Sequence, residues 1–387
     1  MRLTQKSRPR FPRGWARLLA VSAFFALGGC GGSSTTTPGE KTCQQDPTQA
    51  KCAVNNPPST TLRGLASAKG RSFGVAVDAI FFGANPAAYD TVAAREFNLI
   101  VAGNVMKWSS IHRDGRYFYR FANPDAMVAF AQANGMKVRG HTLVWYQQNP
   151  TWLTSTTWDP ETLKVVLKEH IDSVVGHYKG KILAWDVVNE AFNDGTGTLR
   201  VTGSPWAALL GAAYIDIAFQ EARAADPGAL LFYNDYNLET PGLKQDSVFA
   251  RISGMKARGI PIDGIGFQAH LQVNADATGI PAKETLVATF NRFAALGLKV
   301  HITELDIRVR TPGATPAELA AQNQGFTNVT SACLAVAACE AMVVWGLNDG
   351  ESWIPGTFPG WGQALLFDDS YSKKATYNSV STALQAP

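Results

Sequence analysis

The sequence predicts an α/β fold, a (β/α)8 TIM barrel in which eight parallel strands alternate with helices. Eight short apolar runs begin 27 to 47 residues apart, which leaves room for one helix between successive strands. The runs are rich in Val, Ile and Leu, as is typical of parallel strands buried on both faces. Polar residues gather where the runs end, and the carboxyl ends of the strands form the catalytic face of such a barrel.

The predicted strands cover 72–78, 99–104, 137–145, 182–190, 229–236, 264–271, 299–307 and 341–349. An open doubly wound sheet is the alternative, but no Gly-rich phosphate loop follows the first strand. One helix between the third and fourth strands is well marked. Asp159 can cap it, Pro160 suits its first position, and Gly180 is a stop signal.

The first 29 residues are predicted to be an export signal rather than part of the fold. Six basic residues precede or flank the start of the apolar run 18–27, which is too short to span a bilayer as a helix. The run leads into Leu-Gly-Gly-Cys, which resembles a bacterial lipoprotein signal with Cys30 as the lipidated new N-terminus. This implies an exported lipoprotein at the outer membrane or cell surface. An ordinary secretory signal, giving a secreted or periplasmic protein, is the alternative.

Residues 30–60 are predicted to be a flexible linker, because they open with a Gly/Ser/Thr-rich stretch, and the barrel domain occupies 61–387. Four cysteines follow Cys30, and an even number in an exported chain predicts two disulfides. Their short spacings favour Cys43–Cys52 and Cys333–Cys339. Metal binding by the four is disfavoured because no C-x-x-C pair occurs.

The basic charge of the chain belongs largely to the signal segment. The whole sequence carries a formal charge of +4, and removing residues 1–29, with six basic and no acidic residues, leaves −2. The remaining chain gives no support to a nucleic-acid partner.

Two glutamates stand out among the polar residues at the strand ends. Glu190 ends the fourth strand and Glu304 lies in the seventh, so a barrel places them across its mouth from each other. Two facing carboxylates are the minimal equipment for cleaving a glycosidic bond. For either glutamate alone, an ion pair with Lys or Arg is the alternative. The whole set of strand-end polar residues is Asn104, His141, Asn189, Glu190, Asn234, Asp235, Gln268, His270, Glu304, Asp306, Asn348 and Asp349.

The motifs around these residues resemble family 10 glycoside hydrolases, the (β/α)8 endo-β-1,4-xylanases, over residues 61–385. The matching stretches are GNVMKW (103–108), GHTLVW (140–145), WDVVNEA (185–191), YNDYN (233–237), GIGFQAH (264–270), HITELDI (301–307) and WGLNDGESW (345–353). The segment CLAVAAC (333–339) also resembles the disulfide loop common in that family.

The resemblance implies a retaining endo-β-1,4-xylanase with Glu190 as acid/base and Glu304 as nucleophile. Asn189 would bind the 2-hydroxyl of the cleaved sugar, while His270 and Asp306 would orient Glu304, with Gln268 in the same network. The remaining expected sugar contacts are Asn104, Lys107, His141, Trp145 and Gln148 on the glycone side, Trp345 and Trp353 over the scissile sugar, and Tyr236 on the leaving-group side.

Three positions depart from the family pattern. Gly103 stands where a substrate-binding glutamate is usual, Tyr146 replaces a histidine, and a usual Glu-Pro pair is replaced around His112-Arg113. None of these positions is one of the two catalytic glutamates. The sequence therefore defines the type of reaction better than it defines the substrate.

Three other functions are alternatives to the xylanase. They are a retaining β-glycanase acting on decorated or other β-1,4-glycans, a surface lipoprotein that binds glycan without cutting it, and a metal-dependent hydrolase using His141, His270 and His301. The last lacks an H-x-H or H-E-x-x-H arrangement. We expect no metal or cofactor, a polysaccharide substrate, membrane contact through the lipid anchor only, and a monomer.

Overall fold

The computed structural model describes residues 59–77 and 86–387. The predicted signal segment, the linker to residue 58, Cys30 and the Cys43–Cys52 pair lie outside the described residues. No helix in the described part of the chain is long and apolar enough to cross a membrane.

Eight parallel strands close into a barrel, which confirms the predicted fold. Each strand pairs with the next, and the last returns to the first, with Val75 beside Val344. The barrel strands are β1 (Ser72–Val77), β2 (Leu99–Ala102), β3 (Lys137–Gly140), β4 (Ala184–Asn189), β5 (Leu230–Asp235), β6 (Gly264–Phe267), β8 (Lys299–Arg310) and β9 (Cys339–Val344). Two short strands, β7 (His270–Gln272) and β10 (Trp361–Gly362), pair with β8 beyond the barrel mouth.

Helices follow the barrel strands as the spacing predicted. In the described ranges they are α1 (Leu62–Ala68), α2 (Pro86–Glu96), α3 (Trp108–Ile111), α4 (Ala122–Ala133), α5 (Thr151–Thr154), α6 (Pro160–His177), α7 (Pro205–Leu210), α8 (Ala213–Ala225), α9 (Leu243–Ala257), α10 (Lys283–Ala294), α11 (Pro316–Ala335), α12 (Ile354–Thr357) and α13 (Ala375–Gln385). Helix α6 begins as predicted, because the Asp159 side chain accepts a hydrogen bond from the backbone of Thr162.

Several strands are shorter than the predicted runs. Strand β3 ends at Gly140 rather than residue 145, because its pairing with β2 stops at Arg139. Beyond Gly140 only isolated contacts with β4 continue, such as the bond from the Leu143 backbone N–H to the Asp186 carbonyl. Strand β8 is longer than predicted and continues to Arg310, because β7 and β10 add pairing partners. The segments that leave the strand ladder early carry the candidate site residues.

Close packing beneath the mouth explains why Gly140 occupies its position. A Cβ at this residue would lie 2.1 Å from the Trp185 ring, which is fully buried. Beside it, Arg139 pairs with Asp186, so this buried cation has the carboxylate partner that burial requires. The layer forms a rigid floor under the strand ends.

The structure confirms the Cys333–Cys339 disulfide. It spans six positions and joins the last turn of α11 to the first residue of β9, with the Cα atoms 5.2 Å apart. The bond therefore fixes the entry into one barrel strand.

His112, which stands where the family pattern has Glu-Pro, forms a buried pair with His170 of α6. The Nδ1 atoms of His112 and His170 are 3.1 Å apart, and His112 Nε2 lies 2.7 Å from the carbonyl of Arg116. A carbonyl only accepts, so Nε2 of His112 carries a proton and Nδ1 of the neutral ring accepts from His170. The Nε2 atom of His170 is then a bare acceptor, and no described residue donates to it. The ring of His170 stacks on Trp108, with centroids 3.6 Å apart.

This pair predicts a loss of stability in acid. Burial lowers the pKa of both His112 and His170, and the neighbouring His112 charge lowers that of His170 further, while the carbonyl of Arg116 and the Glu169 charge oppose this at His112. The unfolded chain therefore binds more protons than the folded chain below about pH 6.5, and stability falls as pH drops through that value. We expect His112→Glu, which places a carboxylate beside His170, to reduce the fall in Tm between pH 7 and pH 4.5.

The control is His177→Gln, because His177 is partly exposed and bonds Asp125 on the surface. The His177→Gln variant should show the same fall in Tm between pH 7 and pH 4.5 as the wild type. An equal fall in Tm for His112→Glu and the wild type would show that the pair does not set the acid limit.

Candidate active site

One cavity of about 960 Å³ at the carboxyl ends of the strands brings the predicted site residues together. Both glutamates and every predicted sugar contact line it. These are Asn104, Lys107, His141, Trp145, Gln148, Asn189, Glu190, Tyr236, Gln268, His270, Glu304, Trp345 and Trp353. Asp306 lies just behind the wall.

Glu190 is held by neutral donors. Its carboxylate accepts from Trp145 Nε1 at 2.9 Å, Gln268 Nε2 at 2.9 Å and Asn189 Nδ2 at 3.1 Å. Among the described residues it has no ion-pair partner, because Arg200 binds its backbone carbonyl instead. Its φ of 56° is left-handed, which costs a residue with a Cβ roughly 1–2 kcal/mol. The chain turns at the end of β4 and directs this side chain into the cavity.

Glu304 is held by a positive charge. Its Oε2 lies 3.1 Å from His270 Nε2, and its Oε1 accepts from Asn234 Nδ2 at 2.7 Å. Burial alone would raise the pKa of Glu304. The hydrogen bond from His270 and the charges of His141 and His270 outweigh burial, so the pKa lies below its usual value. This carboxylate is ionised at neutral pH.

His270 is an imidazolium because both ring nitrogens face carboxylates. Its Nδ1 lies 2.9 Å from Asp306 Oδ2, opposite the contact with Glu304. Burial lowers the pKa of His270, but the charges and hydrogen bonds of Asp306 and Glu304 raise it to about 10 overall. Trp353 donates its Nε1–H to the same Asp306 oxygen at 2.8 Å. Asp306 therefore positions an imidazole and an indole at once.

Amide side chains connect the two glutamates. Asn234 donates to Asn189 Oδ1 at 2.8 Å as well as to Glu304. Asn189 then donates to Glu190, and Gln268 Nε2 also reaches Asn189 Oδ1 at 3.3 Å. Thr303 fixes the Asn234 amide by donating to its oxygen at 2.6 Å. The network holds the two carboxylates in one geometry.

The part of the cavity predicted to bind the glycone combines a cation, amides and an indole. Lys107 Nζ lies 4.9 Å from the centre of the Trp145 ring and 3.1 Å from Asn104 Oδ1. Gln148 donates to the same Asn104 oxygen at 3.2 Å. Gly103 lines the adjoining wall and offers no side chain to a sugar. Sugar rings bind through such stacking and fixed hydrogen bonds.

Tyr236, the residue predicted to contact the leaving group, lies between two cationic side chains. Its hydroxyl accepts from Arg200 at 3.2 Å, and Lys244 lies 3.4 Å from the ring centre. The Arg200 guanidinium also stacks on Tyr146, 4.4 Å from that ring centre. Arg200 thus connects the loop after β4 to both tyrosines.

Comparisons with known proteins identify the family of this chain. The sequence model of Glycosyl hydrolase family 10 matches residues 61–383. The chain belongs to glycosyl hydrolase family 10. As a member of that family, it is a glycoside hydrolase.

Relatives of this family 10 chain are endo-1,4-beta-xylanases. Endo-1,4-beta-xylanase B of Thermotoga neapolitana is 41% identical over 77% of this chain and 83% of its own length. Endo-1,4-beta-xylanase 5 of Pyricularia oryzae is 41% identical over 81% of this chain and 76% of its own.

Solved structures of family 10 xylanases share the fold. Native xylanase 10B from Thermotoga maritima has a TM-score of 0.80 and 40% identity, and the match covers 84% of this chain and 98% of that one. Xylanase 10B from Thermotoga petrophila, solved with xylobiose, has a TM-score of 0.80 and 39% identity over 84% of this chain and 97% of that one.

Sequence reasoning missed several residues that line the cavity of this family 10 chain, among them Arg308, Glu351 and Phe358. Arg308 had a usable signal, because residues 304, 306 and 308 alternate along one side of a strand. Glu351 and Phe358 lie in the irregular segment after β9, where no periodic pattern places a side chain.

The metal-hydrolase alternative has no ligand set here. Among residues 59–77 and 86–387, no group of three His, Cys, Asp or Glu side chains is arranged to hold a metal ion. His301 lies below the cavity, where its Nδ1 accepts from Arg139 at 2.8 Å.

Proposed function

We propose that this chain is a retaining endo-β-1,4-xylanase that hydrolyses internal xylosidic bonds of xylan. The observation that carries the proposal is the difference between two carboxylates in one cavity. Neutral N–H donors surround Glu190, whereas the His270 imidazolium keeps Glu304 ionised. An acid/base needs the first environment and a nucleophile needs the second.

The reaction proceeds by double displacement. Glu304 attacks the anomeric carbon while Glu190 donates its proton to the leaving oxygen, so the glycosidic bond breaks and a covalent glycosyl-enzyme forms. A water molecule then loses a proton to Glu190 and attacks the same carbon, which releases the sugar and frees Glu304. Each residue ends the cycle in its starting protonation state.

The neighbours of the two glutamates support this cycle. Asn189 lies against Glu190 and can bind the sugar hydroxyl nearest the reacting carbon, a contact that strengthens in the transition state. Trp345 and Trp353 offer indole faces to the sugar being cleaved, and His141 lies edge-on against Trp345. Asp186 fixes His141 by accepting from its Nδ1 at 3.0 Å.

We infer that the substrate is xylan or xylo-oligosaccharide. The relatives are endo-1,4-beta-xylanases, and one structural neighbour was solved with xylobiose. The second candidate, a retaining β-glycanase on decorated or other β-1,4-glycans, is favoured by Gly103, which removes a carboxylate from the glycone wall.

Product analysis tests the proposal. The purified chain is incubated with xylan, cello-oligosaccharide and mixed-linkage β-glucan, with Glu304→Ala as control, and the anomer formed first is followed by NMR. We expect reducing ends from xylan and a β-configured product. If only cello-oligosaccharide yields reducing ends, the chain is a β-glycanase rather than a xylanase. If no substrate yields reducing ends, the non-catalytic glycan-binding function is the one that remains.

We further propose export and a lipid anchor at Cys30. The basic n-region, the short apolar run and Leu-Gly-Gly-Cys support it. In a Gram-negative host, Cys30→Ser should move the enzyme from the detergent-extractable membrane fraction to the soluble fraction. Unchanged partitioning would contradict lipidation and favour the ordinary secretory signal.

A further inference from the structure

Arg308 lies in the cavity beside the reacting groups but has no role in the proposed reaction. It follows Glu304 and Asp306 at alternate positions of β8 and lines the same cavity. Strand geometry directs alternate side chains to one side, about 7 Å apart for neighbours in that series. Arg308 lies four residues beyond Glu304, about 13 Å along the strand, so a cation is fixed two such steps from the nucleophile.

The guanidinium is held in one orientation by a hydrogen bond and by packing on two aromatic rings, of which Trp361 has its centre 5.9 Å from the central carbon. Its Nε donates to Gln272 Oε1 at 3.0 Å, and Gln272 is its direct partner in the pairing of β7 with β8. Its central carbon lies 4.0 Å from the centre of the Phe358 ring. These contacts leave the two terminal nitrogens, which form the fork that binds carboxylates.

No carboxylate occupies that fork within the described part of the chain. Arg139, Arg116 and Arg310 bind Asp186, Glu169 and Glu318, but Arg308 has no acidic side chain within ion-pair distance. Its neighbours Glu304 and Asp306 are both engaged by the His270 imidazolium. A half-buried guanidinium that bonds an amide but no carboxylate is further stabilised when an anion binds it.

We propose that Arg308 binds the carboxylate of a uronic acid side group carried by the polysaccharide backbone. The inference rests on the proposed xylanase function and specifies which decorated substrates the cavity prefers. A carboxylate matches the planar fork with two parallel hydrogen bonds, whereas a neutral hydroxyl uses only part of it. The contacts with Gln272 and Phe358 hold the fork in place for such a group.

The test compares two substrates of equal backbone length, an undecorated xylo-oligosaccharide and one bearing a glucuronic acid side group. For each enzyme the ratio of kcat/KM for the acidic substrate to kcat/KM for the neutral one is measured. We expect Arg308→Gln to lower this ratio about 10-fold or more, because a charge-assisted contact is lost. Arg308→Lys should give an intermediate ratio, since it keeps the charge but loses the fork.

Arg310→Gln is the matched control, because it removes a positive charge two residues further along the same strand, outside the cavity. It should keep the wild-type ratio, and added salt should lower the wild-type ratio but not that of Arg308→Gln. A ratio unchanged in Arg308→Gln would overturn this inference alone. A wild type that cleaves neither substrate would instead overturn the proposed function.

Discussion

Replacing Glu304 with alanine should lower kcat on xylan by about 10⁴-fold or more, because removal of a nucleophile leaves only binding and the remaining electrostatic contacts. The change also leaves the His270 imidazolium with Asp306 as its sole carboxylate. Rate measurements on xylan with initial-velocity kinetics check the loss, and circular dichroism with a thermal scan checks that the barrel is intact.

A chemical rescue separates the role of Glu304 from a general loss of structure. With an aryl xylobioside and added azide, the alanine variant should form an α-glycosyl azide, since azide attacks from the side that the carboxylate has vacated. A folded variant that keeps more than a tenth of the wild-type kcat would remove Glu304 from the nucleophile role.

Replacing Glu190 with alanine has the second largest expected effect. Loss of general acid catalysis should lower kcat on xylan by about 10²–10⁴-fold. The loss should be much smaller for the first step on an aryl xylobioside whose phenol leaves without a proton. The glycosyl-enzyme on Glu304 should then accumulate, because no base activates water, and a burst of phenol measures it.

Azide distinguishes the two glutamates by stereochemistry. In Glu190→Ala it should attack the accumulated glycosyl-enzyme and give a β-glycosyl azide, opposite to the product of Glu304→Ala. An α-azide from the Glu190 variant would mean that the two assigned roles are exchanged. An equal loss of rate on xylan and on the aryl xylobioside would refute the acid/base role of Glu190.

The barrel and its strand-end residues could be predicted from the sequence, because both leave a pattern in neighbouring residues. Each strand is a short apolar run, and several site residues stand at or just after a strand end, as Asn189 and Glu190 do, whereas Glu304 lies within β8. The strand bounds were less predictable. Residues 141–145 resemble a strand in sequence, yet they form only isolated contacts with β4, because pairing with β2 stops at Arg139.

Contacts between segments that are distant in the chain could not be predicted from the sequence. The His112–His170 contact joins residues 58 positions apart, and only packing around Trp108 brings the two rings together. Arg200 likewise reaches Tyr146 and Tyr236 from a loop without periodicity. Such contacts depend on how separate segments pack against each other. No periodic pattern in a single sequence gives that packing.

Strand β8 and the loops that hold Gly103 and Tyr146 should tolerate sequence change to different degrees. One uninterrupted strand of 12 residues carries Glu304, Asp306 and Arg308, and neighbouring strands pair with it on both sides. Insertions or deletions there would rotate all three groups together, whereas Gly103 and Tyr146 lie in loops that tolerate replacement. Variation among descendants of this gene, natural or engineered, should therefore alter which polysaccharide enters the cavity long before it alters how the bond is broken.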